Sequence, residues 1–115
     1  MSNVIPLPAS THISPPQTVF DRHELNAILG VYGRMVAAGL WRDYALDHGR
    51  DAATFSAFRR AADRPEVQVV KVPALRTKQG MYALIGEAGA VLKRGHELTS
   101  ILAPLERKLM RVIDA

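Results

Sequence analysis

Two residue pairs carry the most chemistry in this chain. His96-Glu97 opens a C-terminal apolar run, and Asp47-His48 closes a mixed polar and apolar segment. An imidazole beside a carboxylate can relay a proton or ligate a metal. His96-Glu97 is also the first half of a helical HExxH zinc motif. That motif needs a second histidine one turn on, and Ser100 stands there. A metal or proton-transfer centre would therefore require Asp47 and His48 to converge with His96 and Glu97 in the fold. The plainer reading of both pairs is polar surface at the ends of elements. His12 lies in a proline-rich N-terminal segment. His23 falls in the first turn of a helix, where the dipole disfavours an imidazolium; it is expected to be exposed and idle. No P-loop, GxGxxG or GxSxG is present. With no cysteine in the chain, disulfides, thiolate ligands and cysteine nucleophiles are excluded. No catalytic residue, metal or cofactor is assigned.

Binding chemistry is better represented. The formal charge is +4, and residues 57–94 hold Arg59, Arg60, Arg64, Lys71, Arg76, Lys78, Lys93 and Arg94 against Asp63, Glu66 and Glu87. Aromatic residues at strand positions, Tyr44, Phe55, Phe58 and Tyr82, are interleaved with these cations. Cations hold phosphates while bases stack on exposed rings. Arg59, Arg60, Lys71, Arg76, Lys78, Tyr82, Lys93 and Arg94 are accordingly the candidate nucleic-acid-binding residues. Against this stands a solvated charged face with the aromatics in a core. Arg34, Arg42, Asp43 and Asp47 read as a structural ion-pair set.

The elements that position these residues start with a capped helix. Asp21 is an N-cap and Glu24 its capping-box partner, with Phe20 and Leu25 at the spacing of a hydrophobic staple. Leu25, Ile28, Leu29, Tyr32, Met35 and Val36 repeat at the helical period. Gly39 suits the left-handed position after the helix, with Leu40 folding back on Met35. Gly30 and Gly33 inside the helix each cost about 1 kcal/mol against alanine, so they call for a close-packed neighbour, either the sheet or a partner helix; the sheet is expected. Five strands follow: Trp41–His48, Thr54–Arg59, Val67–Val72, Met81–Ile85 and Ala90–Arg94. Pro73 ends the third, and 74–80 is a basic loop. Gly86 to Gly89 is expected to form a type I turn with Gly89 in the left-handed bulge position. That turn sets Ile85 opposite Val91, Leu84 opposite Leu92 and Tyr82 opposite Arg94, with the hairpin covered on both faces at least near its turn and a cation–π contact available to Tyr82. A last helix spans about Leu98–Val112, beginning near Ser100 or bending at Ala103 because of Pro104.

The chain thus reads as an α+β protein: an N-terminal helix, a five-stranded antiparallel meander and a C-terminal helix. Residues 1–19, with four prolines, read as a disordered tail, and residues 20–115 as one domain. No apolar run approaches the ~18 residues of a membrane span, and the N-terminus lacks a basic start and an apolar stretch. No membrane partner is expected, and the cytoplasm is the expected compartment.

The stretches FDRHELNAILGVYGRMVAAGLWRDYALDH, FSAFRRA and QGMYALIGEAGAVLKRGHEL resemble an uncharacterised bacterial family, mainly alphaproteobacterial, catalogued as domain of unknown function 2794. The combination of YGRMVAAG with WRDYA is the most specific part; the family more often has an acidic residue where Leu40 stands. The resemblance implies a short cytoplasmic bacterial protein of one domain and brings no activity, cofactor or site. Two functions stay open. One is a small regulatory module binding single-stranded DNA or RNA weakly through a basic sheet. The other is a protein-interaction or homodimer module using the first helix or an edge strand.

Overall fold

The first helix forms because its ends are closed chemically. In the computed structural model, which describes residues 16–60 and 64–114, helix α1 spans Arg22–Ala37. The Asp21 carboxylate accepts from the Glu24 amide at 2.8 Å, and the Glu24 side chain accepts from the Asp21 amide at 2.8 Å. This is the expected capping box. At the other end Gly39 N–H donates to the Val36 carbonyl and Leu40 N–H to that of Met35, both at 2.9 Å. The pair is a Schellman motif. It turns the chain sharply and drops Trp41 into the core at 2% exposure. Strand pairing therefore starts at Asp43, two residues later than expected.

The sheet has five antiparallel strands in meander order: β1 Asp43–His48, β2 Ala53–Phe58, β3 Val67–Lys71, β4 Tyr82–Gly86 and β5 Val91–Gly95. Helix α2, Leu98–Asp114, closes the described chain. The expected α+β architecture is the observed one. Helix α2 begins at Leu98, where the element is expected to start, and runs through Pro104, so its regular part begins two residues before Ser100. The proline ring replaces the amide that would bond the Ser100 carbonyl. None of the described helices is long and apolar enough to cross a membrane. The proline-rich segment through Pro15 lies outside the described residues. Thr18 is already anchored, its amide donating to the Gly49 carbonyl at 2.8 Å.

Both helices lie on one face of the sheet. Alternation in the strands puts Tyr44, Leu46 and His48 of β1, Ala53, Phe55 and Ala57 of β2, Val67, Val69 and Lys71 of β3, and Tyr82 and Leu84 of β4 toward them. Trp41, Phe55, Ile28, Met35, Leu84, Ile101 and Val69 are the largest fully buried side chains. Tyr32 reaches from α1 to Tyr44, Phe55 and Trp41, with ring centroids 4.9, 5.9 and 6.0 Å away. Gly80 closes the β3–β4 connection with φ +110°. A Cβ there would lie 2.5 Å from the Gly95 carbonyl, so two backbones meet where no side chain fits.

Three expectations about the β4–β5 hairpin and α1 are corrected. The turn forms as expected, with Gly89 N–H donating to the Gly86 carbonyl and φ +87° at Gly89. Ile85 pairs with Val91, but a bulge then sets Leu84 against Lys93 and Tyr82 against Gly95. The extra residue is Leu92, which the bulge swings toward Gly86. Near the turn the hairpin is not covered on both faces: Val91 is 51% and Leu92 57% exposed, whereas Ala83 and Leu84 farther along β4 are buried. Gly30 and Gly33 are exposed, and a Cβ on either meets nothing within 4 Å. They are not packed on the sheet, because the buried stripe of α1 is Glu24, Ile28, Val31 and Met35.

Candidate functional site

A carboxylate in the first turn of α1 becomes the pin that joins helix to sheet. Pairing places Lys71 beside Tyr82 at the ends of β3 and β4. Both side chains meet Glu24, which is 8% exposed. Lys71 Nζ donates to Glu24 Oε1 at 2.7 Å and to the Val19 carbonyl at 2.9 Å. The Tyr82 hydroxyl donates to Glu24 Oε2. Burial by itself raises the Glu24 pKa. The bonds from Lys71, Tyr82 and the Asp21 amide, with the Lys71 charge, outweigh it and hold the carboxyl below its ordinary value. Burial, then the bond to Glu24 and the charges of Glu24, Asp21 and Glu97, push the Tyr82 phenol above the ordinary tyrosine range. Each polar group is bonded, so the network serves packing. It withdraws Lys71 and Tyr82 from the candidate nucleic-acid set, since the Tyr82 ring is buried and cannot stack a base, and its expected cation–π contact with Arg94 does not form.

Beside this network a cleft of ≈ 250 Å³ is lined by His23, Glu24, Ala27, Tyr82, His96, Glu97, Leu98 and Thr99. His23 is exposed, as expected, yet it shares the cleft with His96. The triplet His-Glu-Leu occurs at 23–25 and again at 96–98, each time at the start of a helix. That repeat is the sequence signal for this cleft. His96 and His48 do not converge. Pairing through Ala53, Lys71, Tyr82 and Gly95 separates them by four strand spacings, about 19 Å. Among the described residues no three His, Asp or Glu side chains cluster to hold a metal.

The opposite end of the sheet holds Arg59 and Arg60. Glu66 is the hub there. It accepts from Trp41 Nε1 and Lys108 Nζ, each at 3.1 Å, and lies 3.4 Å from Arg59 Nε. Arg59 also meets both Glu87 oxygens at 3.3 Å. Two adjoining clefts of ≈ 490 and ≈ 420 Å³ share Arg59, Glu66 and Lys108; Arg60 lines one, and Arg111 with Leu84, Leu92 and Leu105 lines the other. Arg76 and Lys78 are exposed in the β3–β4 connection at the far end. Lys93 and Arg94 point to opposite faces of β5. The expected ion-pair set of Arg34, Arg42, Asp43 and Asp47 is replaced by other partners: Arg34 pairs with Glu106 of α2 at 2.8 Å, and Asp43 accepts from the Tyr44 amide.

The other face of the sheet points away from the two described helices. Two register rows cross it. One reads Asp47, Thr54, Val70, Ala83 and Arg94. The other reads Ala45, Ser56, Gln68, Ile85 and Val91, with Ser56 and Gln68 bonded to each other at 3.0 Å. Asp43 and Phe58 lie beyond them. Among the described residues no helix lies over this face. Arg94 is the one strand cation on it, at the edge opposite Asp43 and Asp47, so the sheet face is not the basic surface expected from the strand sequence. Leu92 is exposed on the other side.

Searches of curated proteins and of solved structures returned no match. The model of the family described as a protein of unknown function, DUF2794, matches residues 18–102, which takes in α1, the whole sheet and the start of α2, and the chain belongs to that family.

Proposed function

We propose that the domain is a protein-interaction module that binds through the sheet face opposite its helices. The observation that carries this is the composition of that face. Ala45, Val70, Ile85, Val91 and Phe58 share it with only three charges, no described helix covers it, and Ser56 and Ala83 at its centre are buried between these neighbours. Small and β-branched side chains with an internally satisfied Ser56–Gln68 bond can be buried at little polar cost. The test is photo-crosslinking in cells with a benzophenone residue placed at Ala45 or Thr54, and at Asn26 on the exposed side of α1 as control. Adducts from the sheet positions alone support the reading; adducts equal from Asn26, or none from the sheet, refute it. The proposed compartment is the cytoplasm, in keeping with a chain without cysteine, and cell fractionation checks it.

A second reading, single-stranded DNA or RNA, is favoured by one observation: Arg59, Arg60, Lys108 and Arg111 line two adjoining clefts. If all four neutralise phosphate, log affinity falls with log salt at a slope near −3, at about −0.7 per contact. Fluorescence anisotropy with an oligonucleotide at several salt concentrations decides it, and binding without salt dependence removes it.

A further inference from the structure

The row Asp47, Thr54, Val70, Ala83, Arg94 crosses the face that no described helix covers, from one edge strand to the other. Its acid stands on β1 and its base on β5. Val70, on the central strand, stands midway. A two-fold axis laid along β3, between two such faces, exchanges the edges and keeps the row in register. Asp47 of each copy then stands over Arg94 of the other, Thr54 over Ala83, and Val70 over Val70. The neighbouring row behaves the same way: Ala45 meets Val91, Ser56 meets Ile85, and Gln68 meets Gln68. The face is thus complementary to itself, the condition that a two-fold interface imposes.

We infer that the occupant of this face is a second copy of the chain, packed sheet to sheet with two symmetry-related Asp47–Arg94 ion pairs. This deepens the sheet-face reading above and rests on it. The charge pattern chooses the copy over an unrelated partner. Asp47 is exposed and has no side-chain partner among the described residues, and Arg94 Nη1 is shielded without a hydrogen-bond acceptor. Face-packed sheets stand about 10 Å apart, a gap that an arginine and an aspartate bridge between them. The opposite arrangement, with the axis across the strands, sets Arg94 against Arg94 and is repelled. From strand spacing and rise the face measures about 24 by 17 Å, a plane of roughly 400 Å² before side-chain relief. A specific interface averages about 800 Å² per partner. The dimer is therefore one that dissociates on dilution, and its charges set orientation.

Light scattering after gel filtration, or sedimentation, from about 10 to about 500 μM should show a concentration-dependent monomer–dimer equilibrium. Asp47→Arg alone and Arg94→Asp alone each turn two attractive contacts into two repulsive ones, and each should weaken the dimer about tenfold or more. An equimolar mixture of the two variants should dimerise again, because the arginine-only copy then faces the aspartate-only copy. Val70→Asp, which sets two carboxylates against each other on the axis, should abolish the dimer with or without mixing. Circular dichroism confirms that each variant is folded. A wild type that stays monomeric throughout, single variants that dimerise unchanged, or a mixture that stays monomeric overturns the inference. Crosslinked adducts from Thr54 then separate the two claims. Adducts of twice the chain mass support the second copy, adducts with another protein overturn it while keeping the sheet-face reading, and an absence of adducts removes both.

Discussion

Glu24→Gln isolates the charge at the junction between α1 and the sheet. The amide has the same size, and its oxygen can still accept from the Asp21 amide, so the helix start is kept. What disappears is the carboxylate that accepts from Lys71 and Tyr82. Hydrogen bonds to a charged group contribute about 1.5–3 kcal/mol each. Removing one member of a fully buried pair costs about 3–5 kcal/mol. The Lys71 side chain keeps 14% exposure and a bond to the Val19 carbonyl, so that upper range is not reached. We expect a loss of about 2–3 kcal/mol at neutral pH, a fall in Tm on the order of 10 °C for a domain of this size. The pH dependence follows from the shifts. Glu24 is held below its ordinary value, so the unfolded chain takes up this proton first as pH falls. Its stabilisation is full above the unfolded carboxylate pKa and is lost as pH drops through the folded one. The glutamine variant has no such loss, and the difference between the two proteins narrows in acid. Tyr82 is shifted the other way. Its contribution is full below the unfolded tyrosine pKa and is lost as pH rises through the folded value, and Tyr82→Phe flattens that alkaline limb. Urea titrations followed by circular dichroism across the pH range measure both. A loss under about 0.5 kcal/mol at neutral pH, the scale of an ordinary surface change, would refute the reasoning. So would a difference that stays constant into acid.

Gly30→Ala and Gly33→Ala should each stabilise the protein by about 0.5–1 kcal/mol, since a Cβ meets nothing at either position; thermal melts check this, and a destabilised variant would reveal a close neighbour. Gly89→Ala should cost about 1–2 kcal/mol for the left-handed backbone alone. Gly80→Ala should cost clearly more, because its Cβ also strikes the Gly95 backbone at 2.5 Å, and equal losses would show that the β3–β4 connection yields.

What the sequence made legible was local. Asp21 and Glu24 announce the start of α1, and Gly39 with Leu40 announces its end, because both signals sit within a few residues of the bonds they form. Gly89 announces its turn for the same reason. The bulge at Leu92 carries no such mark, and one extra residue moved Tyr82 from Arg94 to Gly95. Tyr82 is buried by a carboxylate 58 residues away, a contact that periodicity in β4 cannot report. Gly30 and Gly33 lie off the buried stripe of α1, so a helix-interior glycine does not by itself report a close-packed neighbour. His23 and His96 line one cleft that only the packing of two helix starts creates.

Charge counted along a chain and charge counted on a face are different quantities, and a meander separates them. Each strand reverses the chain, so consecutive cations are sent to opposite ends of the sheet. Arg59 and Arg60 follow β2 to one end, and Lys71, Arg76 and Lys78 follow β3 to the other. Alternation then divides Lys93 from Arg94. Of the eight cations between residues 57 and 94, Arg94 alone comes from a strand to the face away from the described helices, where it shares a row with Asp47, contributed from outside the basic window. The row carries one charge of each sign at its two edges. A surface so arranged has little pull on a polyanion, and it matches its own image.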